Sequence, residues 1–377
     1  MAIDTLQITR DPALGAALER GYTLPAEWYT RSDIFALEKE RIFNRCWQYV
    51  GHSEQVAKPG DYITCKLGSV PIVIVRDLEG ELRAFANVCR HRGSTLVLDA
   101  SGSRKTIQCH YHGWTWNLDG SLRAVPRCME QPDFEMGAFP LVALGLETWG
   151  PLLFVNADPD AAPLAATLGE LPSIVAATGL DLSLLRHRQR SEYDIAANWK
   201  VVVENYNECY HCPIAHPSFA DLFDMDSYKV VTEYEYFSVQ HGTVTDSFRD
   251  GTKTGYFDAR QEVLDAGIRD GMSAFIWPSS TIDITPGPAN LVVGTIIPVA
   301  PDRTLQFYDS FAAEGIDEAQ FAGMRAFGAQ VQAEDIVLCE SVQEGLSSGL
   351  YHQGKLMVTR ENGIQHFQRL VYRALSA

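Results

Sequence analysis

Two cysteines and two histidines stand in a pair of short motifs in the first third of the chain. The motifs are Cys89-x-His91 and, after residues 92–108, Cys109-x-x-His112. Such a set suits either a tetrahedral zinc ion or a two-iron cluster in which cysteines hold one iron and histidines hold the other. Each motif mixes both ligand types, whereas structural zinc sites usually take both cysteines from one knuckle, so the motifs favour two irons. A zinc knuckle and a coincidental set of core residues are the alternatives.

A glycine follows each motif, at Gly93 and Gly113. Glycine allows the backbone to fold tightly and to turn N–H groups toward sulfur, which would stabilise charge on a cluster and raise its potential. His110 lies between the second pair of candidate ligands, and spacing alone does not decide between His110 and His112.

A second group of metal-binding side chains lies past the middle of the chain. The segment from Trp199 to Cys212 has the pattern of a buried helix, on which Glu204, Glu208 and His211 would share one face. Carboxylates and imidazoles inside a protein are costly unless they pair with a charge or a metal. Pro213 would end this helix, so that His216 could turn back toward His211.

Two neutral imidazoles and one carboxylate with open positions beside them form the facial triad of non-haem Fe(II) oxygenases. The open positions are what dioxygen needs. A polar network around the metal ligands, or a zinc site using Cys209 and Cys212, would explain the same residues.

The third ligand must come from elsewhere in the chain, and Asp335 is the candidate. A long helix is predicted over about 320–346, with an apolar stripe formed by Val331, Leu338, Val342 and Leu346. Asp335 falls within that stripe, and an acid among buried apolar residues is usually paired or bound to metal. A buried salt bridge with an arginine is the alternative.

The elements around these residues change character along the chain. A helix is predicted over Ser32–Cys46. Short strands then follow as far as residue 156, and an Ala/Pro-rich linker begins at Ala157. Predicted strands of this first part cover Tyr62–Leu67, Pro71–Val75, Leu82–Val88, Ile107–His110, Trp114–Asn117 and Leu152–Asn156. The second part mixes helices with strand-like runs at Tyr228–Val239, Leu291–Pro298 and Thr304–Phe311, so the fold class is α+β.

Composition excludes several classes of protein. The chain has 377 residues, 46% of them hydrophobic and 21% charged, with a formal net charge of −17. That is typical of a globular chain, and its acidity disfavours nucleic acid and anionic membranes as partners. No apolar run reaches the roughly 18 residues of a membrane span, and the N-terminus has no signal-peptide pattern. We therefore expect a cytoplasmic protein whose eight cysteines are free thiols or metal ligands.

The first pair of motifs resembles a Rieske domain. Respiratory-chain Rieske proteins carry an extra cysteine in each loop, and Ser94 and Tyr111 stand in those places here. Cys109-His110-Tyr111-His112-Gly113-Trp114 is instead similar to the oxygenase branch of the family. Together with the second group, the resemblance covers nearly the whole chain and identifies it as an α (terminal oxygenase) subunit of a Rieske non-haem iron oxygenase.

The resemblance implies a domain plan. Residues 1–44 would be a helical segment of the catalytic domain, 45–157 an all-β Rieske [2Fe–2S] domain, and 158–377 a helix-grip catalytic domain, an antiparallel sheet with helices. It also favours His112 over His110 as a cluster ligand.

Residue roles follow from the same resemblance. His211, His216 and Asp335 would bind the mononuclear iron. Glu208 would bridge His211 to His112 of a neighbouring subunit in a homotrimer. Most of the family has Asp at the bridge. Glu208 is similar to the branch that includes carnitine monooxygenase, glycine-betaine monooxygenase and stachydrine demethylase. Glu204 stands where many ring dioxygenases carry Asn.

The predicted function is hydroxylation of a small organic molecule with O2 and two external electrons, at a C–H next to a quaternary or N-methylated nitrogen. Aromatic-ring dioxygenation and a Rieske electron carrier without oxygenase activity are the alternatives. Because no G-x-G-x-x-G fingerprint follows a strand, a separate NAD(P)H-dependent reductase of flavin or ferredoxin type must supply electrons. Cation–π contacts would hold an ammonium substrate, and the candidate aromatic residues are Tyr206, Phe275, Trp277 and Tyr308.

Overall fold

The computed structural model describes residues 5–131, 133–256 and 258–377. The chain divides into two compact units. The smaller is Phe43–Leu164, and the larger combines the residues up to Ile42 with Ala165–Ala377. The smaller unit contains the whole of the predicted segment 45–157 and extends a few residues beyond it at both ends.

The smaller unit is built from two antiparallel sheets. One has seven strands in the order β1-β10-β9-β4-β3-β2-β5, and the other has three in the order β6-β7-β8. The strands are β1 (Gln48–His52), β2 (Asp61–Leu67), β3 (Val70–Arg76), β4 (Leu82–Ala86), β5 (Ser101–Ser103), β6 (Ile107–Gln108), β7 (Thr115–Trp116), β8 (Leu122–Ala124), β9 (Ala143–Trp149) and β10 (Leu152–Asn156). Short 3-10 helices cover Ser53–Val56, Cys128–Glu130 and Met136–Ala138.

The core of this unit explains why its sequence forms strands. In β3 the run Ile72–Val75 is entirely β-branched and fully buried, as a strand covered on both faces requires. β1, β5, β8 and β9 were not predicted. β9 lacks a clear two-residue alternation, since most of its residues are only partly buried.

The larger unit is one antiparallel seven-stranded sheet with helices, in the strand order β11-β17-β16-β15-β14-β13-β12. Its strands are β11 (Leu185–Ile195), β12 (Lys229–Val231), β13 (Phe237–Gly242), β14 (Gly271–Ile276), β15 (Ser280–Ile284), β16 (Asn290–Ala300) and β17 (Arg303–Ala313). The α+β class is therefore confirmed.

The helices that precede this sheet in the chain are short. They are α1 (Thr5–Thr9), α2 (Pro12–Glu19), α3 (Glu27–Thr30), α4 (Ser32–Glu38), α5 (Leu164–Leu168) and α6 (Leu171–Ala177). The predicted helix over Ser32–Cys46 is α4 followed by a π-helical turn at Lys39–Phe43, and a 3-10 turn covers Leu182–Leu184.

The later helices are α7 (Trp199–Tyr206), α8 (Cys212–Ala215), α9 (Pro217–Leu222), α10 (Asp246–Arg249), α11 (Gln261–Asp265), α12 (Glu318–Ser347) and α13 (Asn362–Ser376). The long helix predicted over 320–346 is confirmed as α12. The strand predicted over Tyr228–Val239 is two strands, because β12 ends at Val231 and β13 begins at Phe237.

Helix α7 is an interior helix, as predicted. It packs against α12, α13 and the sheet strands β16 and β17. Its residues 199–203 are all buried, including Lys200, whose ammonium bonds the equally buried Glu38 carboxylate at 2.5 Å. The Trp199 indole N–H donates to the same carboxylate at 2.8 Å. The attraction between the two charges offsets the cost of burying them, and both contacts connect α7 to Glu38.

None of the helices within the described ranges is long and apolar enough to cross a lipid bilayer.

Candidate metal centres and substrate cavity

The two loops of the smaller unit close in the same way. In the first, Cys89 N–H donates to the Ser94 carbonyl at 2.8 Å and Gly93 N–H donates to the Cys89 carbonyl at 3.0 Å. In the second, Cys109 N–H donates to Trp114 and Gly113 N–H to Cys109, at the same two distances. The two loops are therefore a matched pair of tight turns.

Each turn has a glycine four residues after its cysteine, and the backbone conformation there requires it. Gly93 and Gly113 have φ of +74° and +77°, in the left-handed region that other residues rarely adopt. The second loop lies between β6 and β7, and the first follows β4. Rigid strands thus hold both loops.

The cysteines and histidines of these loops differ in exposure. Cys89 and Cys109 are buried, whereas the His91 and His112 rings are exposed and lie 4.7 Å apart between centroids. His91 stacks on Trp114 with an interplanar angle of 6°. The structure therefore places His112 beside His91, at the outer edge of the pair of loops, with the thiols beneath.

The donor set suits a cluster better than a single ion. Burial raises the pKa of the Cys89 thiol, and backbone hydrogen bonds from His91 and Arg92 oppose that rise. Such N–H groups would stabilise sulfur charge. Among the described residues, the four side chains do not bring three donor atoms within 4.8 Å of one another, as one zinc ion would require.

Two further cysteines correct the expectation of free thiols and ligands. Cys209 and Cys212 form a disulfide, with their Cα atoms 5.0 Å apart. Cys212 N–H donates to the Cys209 carbonyl at 3.3 Å, and this turn brings the two side chains together. A zinc site using these two sulfurs is therefore incompatible with this structure.

In the larger unit, three donor atoms from distant parts of the chain converge. The Nε2 atoms of His211 and His216 lie 3.1 Å apart, and Oδ1 of Asp335 lies 3.4 Å from the first and 3.0 Å from the second. Adjacent ligands about 2.1 Å from one metal at right angles lie about 3.0 Å apart. The spacing thus fits one face of an octahedron, the arrangement of two histidines and a carboxylate around non-haem iron.

Each of the three side chains is held by a polar partner. The Glu208 carboxylate bonds Nδ1 of His211, and Glu334 bonds Nδ1 of His216 at 2.7 Å. When a carboxylate accepts the Nδ1 proton, Nε2 keeps its lone pair for a metal. These two contacts therefore turn both Nε2 atoms toward the shared centre.

Sequence reasoning missed three of the supporting side chains, Glu334, Gln330 and Asn205. Gln330 donates to Glu334 at 2.9 Å, one turn away on α12. Asn205 of α7 donates to Oδ1 of Asp335 at 3.0 Å. None of the three has a spacing signal of its own, and only the packing of α7 against α12 brings Asn205 to the site.

Electrostatics show that the centre favours positive charge. Burial lowers the pKa of His211, but the carboxylates of Asp335 and Glu208 outweigh it and raise that pKa to about 9. Similar contacts with Asp335 and Glu334 raise the pKa of His216 against its burial. A divalent metal would supply the same charge in place of protons.

The route by which Glu208 and His211 meet differs from the prediction. Helix α7 ends at Tyr206, and the Asn207 side chain caps it by donating to the Val203 carbonyl at 3.0 Å. The shared helical face predicted for Glu208 and His211 was therefore wrong. The two meet in a loop, where the Glu208 carboxylate also accepts the backbone N–H groups of Tyr210 and His211.

The stripe on α12 was also partly wrong. Val342 is half exposed, and the buried residues near Asp335 are Gln332, Cys339, Gln343 and Leu346. This stripe is largely polar, so hydrophobicity could not reveal it. Asp335 lies on it, and its partners are histidines and Asn205 rather than an arginine.

Glu204 lies apart from this centre. Its carboxylate accepts the Tyr29 hydroxyl at 2.6 Å and the Gln368 amide at 3.0 Å. Burial raises the pKa of Glu204 to about 7, against these hydrogen bonds and the charge of Lys200. Glu204 thus joins α3, α7 and α13 rather than the metal ligands.

Asp335 also lines a cavity of about 220 Å³. It is smaller than the roughly 300–1,000 Å³ typical of drug-sized ligands, so it suits a compact molecule. Tyr206 and Tyr308 line it, whereas Phe275 and Trp277 pack against Phe367 at 5.6 and 6.0 Å. Two of the four candidate aromatic residues are therefore cavity residues and two are core residues.

Comparisons with known proteins agree with this architecture. Residues 46–136 match the Rieske [2Fe-2S] domain, and residues 182–377 match the ring hydroxylating alpha subunit (catalytic domain). The second match covers more than half of the chain. The chain belongs to the Rieske oxygenase α-subunit family.

Similar proteins include the carnitine monooxygenase oxygenase subunit of Acinetobacter baumannii. It is 36% identical over 359 residues, which cover 93% of this chain and 94% of the relative. The chloroplastic choline monooxygenase of Atriplex hortensis is 32% identical over 99% of this chain and 82% of its own. This chain is therefore similar to oxygenases named for two quaternary ammonium compounds.

Solved structures give the same result. The quaternary ammonium Rieske monooxygenase CntA in complex with L-carnitine is 32% identical, with a TM-score of 0.80 over 99% of both chains. Naphthalene 1,2-dioxygenase from Rhodococcus sp. has a TM-score of 0.78 at 18% identity and supports the fold alone. The chain is an oxidoreductase of the Rieske non-haem iron oxygenase type. Its family membership implies a [2Fe–2S] cluster and a mononuclear iron.

Proposed function

We propose that this protein hydroxylates a small quaternary or N-methylated ammonium compound at a C–H next to nitrogen. The observation that carries the proposal is the convergence of His211, His216 and Asp335, the last of which also lines a compact cavity. Similarity to carnitine and choline monooxygenases supports the substrate class.

Seven side chains divide between two centres in this proposal. Cys89 and Cys109 hold one cluster iron, and His91 and His112 hold the other. His211, His216 and Asp335 hold the mononuclear iron. Iron bound at this second centre supplies dioxygen activation, and the cluster supplies an electron when one is needed.

The protein's own groups prepare the site. Glu208 and Glu334 keep the Nδ1 protons of their histidines, so both Nε2 atoms stay available. Asn205 fixes the Asp335 carboxylate by a hydrogen bond to Oδ1. Aromatic walls around the cavity exclude water from the reacting carbon.

Glu208 has a second role in the proposal, as the bridge to His112 of a neighbouring copy in a homotrimer. Its loop is near the surface, since Tyr210 is exposed, and the His112 ring is exposed as well. The His112 end of the bridge is thus accessible to another copy of the chain, whereas the Glu208 side chain is only 9% exposed and would have to be met within its loop. A separate NAD(P)H-dependent reductase supplies the electrons, and we place the assembly in the cytoplasm.

Tyr206 and Tyr308 would hold the ammonium group through cation–π contacts. The reaction consumes one O2, two electrons and two protons for each C–H converted to C–OH, and it releases one water. The resulting alcohol beside nitrogen loses the amine and leaves an aldehyde, which breaks the C–N bond.

The first test is metal and acid-labile sulfide analysis of anaerobically purified protein, with an EPR spectrum after dithionite reduction. We expect two sulfides per chain and a Rieske-type signal. Protein that holds zinc alone and no sulfide would overturn the proposal.

A second test separates the substrate classes. Reduced enzyme exposed to oxygen should release an aldehyde and an amine from trimethylammonium compounds. Formation of a diol from an arene, with no aldehyde from any ammonium compound, would favour aromatic-ring dioxygenation instead.

A further inference from the structure

One acid in the sheet wall of the cavity has no role in the metal centre. Asp283 of β15 lines the cavity. In the register of the sheet it lies directly opposite Ser273 on one side and Val292 on the other, and the row continues to Gln240 and Ser310. These four neighbours also line the cavity, and none of them carries a charge. Asp283 therefore places a single carboxylate in an otherwise uncharged row of the wall.

The Asp283 carboxylate has hydrogen bonds but no counter-ion. Its Oδ1 accepts the Ser273 hydroxyl at 2.7 Å and the Tyr206 hydroxyl at 2.9 Å. Within the described ranges, no nitrogen of a lysine, arginine or histidine lies within 4.0 Å of either oxygen, and Arg325, which also lines the cavity, lies beyond that distance. Two neutral hydroxyl groups thus hold the carboxylate in place without neutralising it.

Two other buried acids of the larger unit each have a cation beside them. Asp309 of the same sheet accepts two N–H groups of Arg190, at 2.9 and 2.6 Å. Glu38 accepts the ammonium group of Lys200 at 2.5 Å. A buried carboxylate without such a partner costs free energy. Asp283 differs from these two acids because it borders cavity space where they contact a basic side chain.

Three tyrosines of the cavity lie within the field of this carboxylate. Burial raises the pKa of the Tyr206, Tyr228 and Tyr308 hydroxyls, and the negative charge of Asp283 raises each pKa further. Burial also raises the pKa of Asp283 itself to about 6, against the hydrogen bonds from Ser273 and Tyr206, so this carboxyl is mostly ionised at pH 7. The faces of tyrosine rings attract cations, and the carboxylate adds a full negative charge among them.

We propose that Asp283 is the counter-ion of the substrate's ammonium group, and so the residue by which the enzyme distinguishes a cationic substrate from a neutral molecule of the same shape. Tyrosine rings alone also accept neutral apolar groups, whereas a buried carboxylate without a partner favours the cation strongly. This inference rests on the proposed function and assigns its charge selectivity to one side chain.

The test uses two pairs of probes, in which the members differ only by a quaternary nitrogen or a carbon at the same place. The pairs are choline with 3,3-dimethylbutan-1-ol, and 4-(trimethylammonio)butanoate with 5,5-dimethylhexanoate. Dissociation constants are measured by titration calorimetry on the iron-loaded protein without reductant. Asp283→Asn keeps the size of the side chain and an oxygen acceptor but removes the charge. Ser273→Ala is the matched control, because it keeps the charge and removes one hydrogen bond to it.

We expect the wild type to bind the ammonium member of a pair at least about tenfold more tightly than the carbon member. Asp283→Asn should lower this ratio roughly tenfold, whereas Ser273→Ala should change it less than about threefold. A purely structural role of Asp283 would weaken both members alike and leave the ratio unchanged. A ratio near one in the wild type, an unchanged ratio in Asp283→Asn, or a loss of affinity shared by both members would overturn the assignment.

Aldehyde release after one exposure of the reduced protein to oxygen separates this inference from the proposed function. If the wild type releases aldehyde from the ammonium compounds and Asp283→Asn leaves the binding ratio unchanged, the proposed function stands and only the role of Asp283 fails. If iron-loaded wild type neither binds nor oxidises either ammonium compound, the proposed function fails, and the counter-ion with it. Should Asp283→Asn not accumulate, Asp283→Ser takes its place, with the same ratio as the measurement.

Discussion

The two candidate metal regions are built on opposite principles. In the smaller unit, every proposed ligand lies in one of two short loops that close with the same pair of hydrogen bonds. In the larger unit, the imidazole of His216 meets the carboxylate of Asp335 across 119 residues of sequence. Local backbone geometry dominates the first region, and tertiary packing dominates the second.

This difference indicates which substitutions should disturb the ligand positions in each region. The loops depend on two glycines with positive φ and on strands that hold the loop ends. The converging histidines depend on side chains that hold other side chains, such as Glu334 on His216. Substitutions outside the ligands should therefore matter more in the larger unit.

The largest expected effect comes from removing one proposed metal ligand from each region in turn. Asp335→Ala should lower iron from about three to about two atoms per chain, keep sulfide at about two, and abolish product formation. Cys109→Ser should do the reverse and lose the sulfide. Iron and sulfide analysis with EPR checks both, and full iron content in Asp335→Ala would contradict the assignment of that ligand.

Glu208 tests coupling without removing a ligand. Glu208→Ala should keep sulfide and most iron but reduce product formation by roughly 100-fold, because His211 loses its partner and the proposed bridge to a neighbouring copy loses its carboxylate. Glu204→Gln is the control, since Glu204 bonds Tyr29 and Gln368 instead. Normal turnover by iron-loaded Glu208→Ala would remove the bridge.

Glu334 tests the claim that supporting side chains matter in the larger unit. Glu334→Ala should weaken iron binding roughly 10–100-fold, because the His216 ring loses the carboxylate that fixes its tautomer. Added Fe(II) should restore activity. Equilibrium iron titration checks this, with Glu344→Ala, an exposed acid on the same helix, as the control. Equal iron affinities in the two variants would show that Glu334 does not support iron binding.

The smallest expected effect concerns pH. Glu204 has a raised pKa of about 7, caused by burial and opposed by Tyr29, Gln368 and Lys200, while Glu361 adds to the rise. The folded chain then binds this proton more tightly than the unfolded chain, so its contribution to stability is lost as pH rises from about 4.5 to about 7.

Glu204→Gln keeps an oxygen acceptor for both partners but cannot ionise. Its free energy of unfolding should exceed that of the wild type by about 1–3 kcal/mol at pH 8 and by much less at pH 5. Thermal melts at the two pH values check this. A difference that does not change with pH would show that the Glu204 carboxyl does not carry the effect.

The same contrast explains what could be predicted from sequence. The loops around Cys89 and Cys109 were visible because residue type and spacing lie within a few positions. The resemblance of the chain to a family linked His211 and His216 to Asp335. The helical face used for Glu208 was wrong, because the cap made by Asn207 ends α7 after Tyr206.

Other features lay beyond sequence patterns. The buried stripe of α12 is polar, with Gln332 and Gln343 on it, so an apolar pattern pointed to Val342, which is exposed. The Cys209–Cys212 disulfide depends on a turn in the loop that no spacing rule requires. Aromatic type alone could not separate the cavity residue Tyr308 from the core residue Trp277.

The thirty-residue helix α12 has one more consequence. Because Glu334 and Asp335 are neighbours on this helix, the carboxylate that contacts both imidazole Nε2 atoms and the carboxylate that bonds Nδ1 of His216 must move together. A shift of α12 by one residue would move both carboxylates by about 1.5 Å along the axis and turn them by about 100°. The position of a single helix therefore decides whether the converging side chains meet at all.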